Sequence, residues 1–237
     1  MDIVAELLRQ RRQRAGGLRM EKPINPGMEM IRLPRGKEVK KDIDLAEVDL
    51  LAALTTLHQG RFTGYLGFHL AEGAAVLLFC LGRLKTALYQ DRNRRLTEVL
   101  GLEKTFQAVR KQGGRLNIYR LSEDLANLLP VVLSGTSLLQ GAPVKKLDMR
   151  AVLARMCRER RSGCLRVYTD DRVALIFYAD GHPKGFFHDQ CGELSVDADL
   201  SMSVAREDDA RLDVLVPAKG LLTESFDLMD DAETLLS

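Results

Sequence analysis

Val48–Gln90, VDLLAALTTLHQGRFTGYLGFHLAEGAAVLLFCLGRLKTALYQ, lies without a gap on Leu147–Asp189, LDMRAVLARMCRERRSGCLRVYTDDRVALIFYADGHPKGFFHD, when the chain is shifted by 99 residues. Identities include Asp49/Asp148, Leu54/Leu153, Gly64/Gly163, Leu66/Leu165, Ala75/Ala174, Gly82/Gly181 and Lys85/Lys184. Where residues differ, apolar character is kept: Val76–Phe79 (VLLF) faces Leu175–Tyr178 (LIFY), and Leu57 faces Met156. In each copy the two matched glycines are 18 residues apart. Further on, at a shift of 96, Arg115–Tyr119 (RLNIY) lies on Arg211–Leu215 (RLDVL). Two copies are too few for a solenoid, so the pattern predicts two small related domains.

The repeated unit reads locally. Asp49 and Asp148 each precede an apolar pattern of helical spacing, as an N-cap or first-turn acid does. Gly64 and Gly163 open a strand, Tyr65–Leu70 or Cys164–Thr169. A more continuously apolar strand follows, Ala74–Cys80 or Val173–Ala179, as expected for a strand buried on both faces. Gly82 and Gly181 sit where a tight turn needs positive φ, and Asp180-Gly181 is a hairpin signal. A third strand, Leu84–Tyr89 or Lys184–His188, completes a meander. In the first copy Leu96–Gln112 reads as a helix, Arg115–Leu121 as a fourth strand and Leu125–Leu133 as a closing helix. The second copy is degenerate between Gln190 and Ala210. The expected fold is therefore α+β: two related small domains, each an antiparallel β-meander sheet with flanking helices. The divisions are a basic N-terminal arm over 1–42, a first repeat over 43–140 and a second over 141–237.

A leading helix, then [ST]-G-x-L, then a buried strand ending near F-x-x-G, resembles the PATAN-like family of bacterial signalling domains, found at the N-terminus of PatA-type regulators. The residues carrying the resemblance are Thr63-Gly64-Tyr65-Leu66 with Phe79-Cys80-Leu81-Gly82-Arg83-Leu84, and Ser162-Gly163-Cys164-Leu165 with Tyr178-Ala179-Asp180-Gly181. It covers about 45 residues of each copy plus the fourth strand. The resemblance implies a non-enzymatic adaptor that binds signalling proteins such as response regulators. It implies no catalytic residue.

Composition fits that expectation. The chain has 237 residues, 46% of them hydrophobic and 29% charged, the balance of a folded globular protein. A formal charge of +2 and the absence of Trp argue against a nucleic-acid binder. The longest apolar runs, Ala74–Leu81 and Leu128–Leu133, fall short of the roughly 20 residues of a membrane span. Met1–Leu8 contains Asp2 and Glu6 and does not read as a signal peptide. Four scattered cysteines without a C-x-x-C pair suit reduced thiols and a cytoplasmic location, with Cys80 and Cys164 as small core residues. Phosphate-binding and nucleophile-elbow motifs are absent, so no cofactor is expected.

The near-zero charge is a cancellation. Residues 1–41 hold 11 Lys/Arg against 5 Asp/Glu, and residues 195–237 hold 3 against 11. Asp2–Arg14 could form a short helix, and Pro23, Pro26 and Pro34 make Glu21–Gly36 an extended arm. Gly64, Gly82, Gly163 and Gly181 are expected structural turns. Arg158, Arg160 and Arg161, with His182 and Lys184, are the expected interaction residues, and exposed strand edges could pair copies into a homo-oligomer. The residues also offer two other readings. Asp199-Leu200-Ser201 has part of a cyclic-dinucleotide motif, with Arg158–Arg161 as its arginine source. His182, His188, Asp189 and Cys191 offer metal ligands for an uncharacterised metal-dependent enzyme, at a spacing that matches no standard site.

Overall fold

The computed structural model describes residues 33, 36–188, 203–217 and 227–236. The chain divides into two compact units, one of Gly36–Asn127 with the described residues 227–236, the other of residues 128–188 and 203–217 with Leu33. Both units are α+β, built on an antiparallel sheet with flanking helices.

The first unit contains β1 (Lys37–Asp44), α1 (Leu50–Gln59), β2 (Gly64–His69), β3 (Gly73–Cys80), β4 (Arg83–Asp91), β5 (Arg95–Thr97), α2 (Glu98–Gln112), β6 (Arg115–Arg120) and α3 (Glu123–Leu128). Its sheet order is β1-β6-β2-β3-β4-β5. Helix α1 starts where Asp49 accepts the N–H of Ala52 at 3.1 Å, satisfying one of the free amides of the first turn. Leu50, Ala53, Leu54 and Leu57 then fall on one face and are buried. With Leu102 and Phe106 of α2 they cover Leu66, Phe68, Ala75, Leu77, Phe79, Leu116 and Ile118 of the sheet. Burying one such leucine fully contributes roughly 1.5–3 kcal/mol. Strand β3 is buried along its whole length, in keeping with its unbroken apolar sequence.

The second unit repeats this order. It contains α4 (Pro130–Ser134), β7 (Thr136–Pro143), α5 (Met149–Arg158), β8 (Gly163–Tyr168), β9 (Val173–Ala179), β10 (His182–His188) and β11 (Arg211–Val216). The sheet runs β10-β9-β8-β11-β7, the order of the first sheet with β5 removed. Asp148 caps α5 through the N–H of Ala151 at 3.1 Å, as Asp49 caps α1. Met156 of α5, Leu165, Val167, Tyr178, Leu212 and Val214 form the core with Val144 and Val204.

Several expectations are corrected. The segment expected as an arm contributes β1 from Lys37 onward, because the backbone of β6 offers a free edge that this strand pairs. Its counterpart β7 was likewise not expected, and the boundary placed between residues 140 and 141 falls inside it. The expected fourth strand is β6, and the pairing that the sequence left open is with β2, as that of β11 is with β8. The helix expected over Leu125–Leu133 is two short helices, since Pro130 lacks the N–H that would continue the first and begins the second instead.

The largest change concerns the C-terminus. Helix α6 (Met229–Leu236) lies in the range 141–237 expected as the second repeat, but it belongs to the first unit and packs against α1 and α2. Leu84 N–H donates to Asp227 Oδ1 and Leu228 N–H to the Leu84 carbonyl, both at 2.9 Å. Leu228, Met229 and Ala232 thereby enter the first core, where their apolar surface is removed from water.

Candidate interaction surface

The two repeats build the same corner from the same atoms. After α1 the chain turns through Arg61 at φ +50, and after α5 through Arg160 at φ +46. Phe62 N–H donates to the Leu57 carbonyl at 3.0 Å, and Arg161 N–H to the Met156 carbonyl at 2.9 Å. The hairpin between the second and third strands of each repeat then docks on that turn. Gly82 N–H donates to the Phe62 carbonyl at 2.8 Å, and Gly181 N–H to the Arg161 carbonyl at 3.0 Å. Thr63 Oγ1 accepts from Leu81 N–H at 2.9 Å, and Ser162 Oγ from Asp180 N–H at 3.0 Å. This is the physical reason for a hydroxyl residue before each glycine of the repeated [ST]-G pair.

The glycines are required by close approach. A Cβ on Gly64 or Gly163 would lie 2.1 Å from the carbonyl oxygen of Tyr119 or Leu215 on the neighbouring strand. On Gly82, at φ +85, it would lie 2.2 Å from the His58 carbonyl oxygen, and on Gly181, at φ +80, 2.8 Å from Cys157 Cα. The corner is thus a rigid junction of helix end and hairpin.

What the two corners display differs. In the second copy, residues 149–161 carry five arginines (Arg150, Arg155, Arg158, Arg160 and Arg161) against the single acid Glu159, where residues 50–62 of the first carry Arg61 alone. Glu159 is held between Arg155 Nε, at 2.8 Å, and Arg161 Nε. Hydrogen bonds from Arg155 and then Arg161 keep its carboxyl below the usual carboxylate range. Arg158 and Arg160 are exposed and form no ion pair among the described residues. His182 and Lys184 are exposed on the first residues of β10, which the Gly181–Cys157 contact brings to the same corner. The residues singled out from sequence as interacting therefore gather at one end of the second unit.

Other expected groupings are not assembled. His182 and His188 stand at opposite ends of β10, about 20 Å apart at strand rise, too far for one metal ion. Asp189, Cys191 and Asp199–Ser201 lie outside the described residues. Among the described residues no three His, Cys, Asp or Glu side chains converge. Cys80 and Cys164 are buried, and burial raises both thiol pKa values, while Cys157 is exposed.

A further pair of positions was missed. Asn117 Oδ1 accepts from Asp42 N–H and Asp213 Oδ1 from Gly141 N–H, both at 2.7 Å. Asp42 and Gly141 have φ of +59 and +62, each at a break in the register of the edge strand. The signal was present in the shifted sequences, which set RLNIY on RLDVL and so Asn117 on Asp213. An isolated polar residue in a strand does not say that it serves a bulge next door.

No family model, curated protein or solved structure matches this chain.

Proposed function

We propose that this chain is a non-enzymatic protein–protein interaction module, a tandem adaptor of PATAN-like type in bacterial signal transduction, with response regulators as the partner class. The observation that carries the reading is the contrast between the duplicated corners. They share the same backbone hydrogen bonds, while the second carries a concentration of exposed cations on the helix end. A kept scaffold with a diverged surface is the pattern of a module that presents side chains to a macromolecular partner. Arg158, Arg160, Arg161, His182 and Lys184 supply that surface.

The reading is supported by the topology as well. Each sheet has edge strands, and β7 is long and carries no charged side chain in Thr136–Pro143, so a strand of another chain, including a second copy, could pair with it. No helix among the described residues is long and apolar enough to cross a membrane.

The test is affinity capture with the tagged full chain after brief chemical cross-linking in its host cells, with a second sample carrying Arg158→Glu and Arg160→Glu. A discrete signalling protein lost from the second sample supports the reading. Recovery of no specific protein overturns it. Calorimetry with cyclic di-GMP checks the ligand alternative, and a saturable titration would replace the adaptor reading.

A further inference from the structure

The eight residues of α6 are held at both ends. At the start, Asp227 Oδ1 accepts the N–H of Met229 at 3.1 Å, as a cap does, and also the N–H of Leu84 on β4 at 2.9 Å. The Leu84 carbonyl in turn accepts from Leu228 N–H at 2.9 Å. These bonds are open to α6 because β5 pairs only Leu88–Gln90 of β4. Leu84 is thus left at a sheet edge that no strand covers among the described residues. At the far end, Arg110 of α2 donates from Nη2 to the Leu235 carbonyl at 2.8 Å, a cation at the negative end of the helix. Between the two ends, Leu228, Met229 and Ala232 are buried in one cluster with Leu54, Leu57, Leu84, Leu102 and Phe106.

This helix has the character of a docked ligand, not of a part of the repeated fold. The second unit forms the same sheet order and the same capped helix with no counterpart of α6 among the described residues. At the register position of Leu84 it carries Pro183, paired with Tyr178 as Leu84 is paired with Phe79, and each is followed by a bulge. Proline has no N–H to offer a carboxylate such as that of Asp227. Only the first repeat therefore presents both a donor and an acceptor at this edge, which is why the helix sits there. A helix of fewer than about 12–15 residues is marginal in water, so α6 is helical because it is docked. An open strand edge, an apolar groove and a cation at its far end together make a receptor for a short amphipathic helix.

We propose that the groove between α1, α2 and the Leu84 end of β4 is a helix-binding site that α6 occupies in cis, and that a partner's helix of the same pattern displaces it. The pattern is a capping acid with apolar residues one, two and five positions further on, as in Asp227, Leu228, Met229 and Ala232. The Leu84 backbone selects the capping acid, the groove sets the apolar spacing and Arg110 receives the helix end. The inference rests on the adaptor reading and adds to it a second surface, one that opens only when the chain's own C-terminal helix leaves.

The probe is a fluorescein-labelled peptide of sequence SFDLMDDAETLLS (225–237), titrated by anisotropy against full-length chains. Asp227→Ala loosens the chain's own helix, so the peptide should bind this variant at least ~tenfold more tightly than the unsubstituted chain, whose site is already filled. Adding Arg110→Glu to the variant should remove that gain, and a peptide that itself carries Asp227→Ala should bind neither chain. Asp227 and Arg110 lie outside the apolar core, so the variants should fold; circular dichroism checks this. A peptide that binds neither chain, or both equally, makes α6 a fixed part of the first unit and overturns the inference. Affinity capture is then repeated with the Asp227→Ala chain. A signalling protein recovered more strongly by this chain, and competed away by the unlabelled peptide, supports the inference. A partner indifferent to both the substitution and the peptide binds elsewhere, so this inference falls and the adaptor reading stands. Should no partner be captured by either chain, both fall.

Discussion

Asn117 holds Asp42 from across 75 residues of chain: its Oδ1 accepts the Asp42 N–H at 2.7 Å while its Nδ2 lies 2.9 Å from Nε2 of His69. The residue is buried, so the two bonds satisfy groups that water does not reach. Donation from the amide to Nε2 makes that nitrogen the acceptor, which is the neutral imidazole with its proton on Nδ1. The bulge in β1, the side chain on β6 and the ring on β2 are thus one unit. In the second repeat Asp213 bonds Gly141 in the same way, and the Tyr168 hydroxyl, in the place of His69, donates to it at 3.4 Å.

Asn117→Leu leaves the Asp42 amide and the His69 ring without their partner and should destabilise the protein by about 1–3 kcal/mol. Asn117→Asp keeps the acceptor for Asp42 and should cost less near neutral pH. Urea unfolding of the two variants gives the comparison. Equal losses for both would mean that the Asp42 bond is not what Asn117 contributes.

Burial lowers the His69 pKa from its ordinary value, with Asp42 opposing more weakly. A histidine held neutral in the fold and free to protonate when unfolded contributes stability that is complete above the unfolded value. That contribution is lost as pH falls from about 6.5 toward the folded value. Stability should therefore decline over this window, and His69→Gln should flatten the decline. Chemical denaturation from pH 7.5 to 5 checks it; parallel curves for the two proteins would rule the mechanism out.

Leu81 precedes Gly82 in a turn with φ of +51 and +85, and Asp180 precedes Gly181 at +51 and +80. Both are the two-residue turn that asks for positive φ at each position, which a leucine adopts at a cost of about 1–2 kcal/mol. Leu81 is an exposed side chain and has little burial to lose. Leu81→Asn should raise stability by about 1 kcal/mol, and Asp180→Leu should lower it. Thermal unfolding of both variants measures the pair of opposite signs.

Gly82 and Gly113 both have positive φ, at +85 and +65, and differ in their surroundings. A Cβ at Gly82 would meet the His58 carbonyl at 2.2 Å, and one at Gly113 meets nothing within 4 Å. Gly113→Ala should cost only its backbone conformation, φ +65 with ψ −150, a region kept almost entirely by glycine, about 1–3 kcal/mol, and Gly82→Ala clearly more, because the hairpin must also leave the helix end. Unfolding midpoints of the two variants decide between backbone strain and crowding.

Much of this architecture was legible before any coordinates. The 99-residue repeat, the Asp49 and Asp148 caps, the continuously buried β3 and the turn glycines follow from local rules of periodicity, capping and φ. Those rules act over a few residues, so they can be read from a few residues. The basic corner was legible too, because Arg158–Arg161 and His182–Lys184 flank segments whose equivalents are already aligned.

What the tertiary structure decided was everything that depends on partners far away in sequence. Six of the eight residues of strand β1 are charged, and it is a strand because β6 supplies the matching hydrogen bonds, which no pattern within Lys37–Asp44 encodes. Asn117 has its role because Asp42 and His69 arrive on either side of it. The end of the chain is the clearest case. MDDAETLL reads as an amphipathic helix, but its sequence does not say which apolar surface will take it. The structure seats it on the first repeat, in the core that also holds the fully buried Leu54, whereas the identical counterpart Leu153 is 37% exposed. Hydrophobic burial is non-directional, and only the assembled geometry says which of two like faces has been covered.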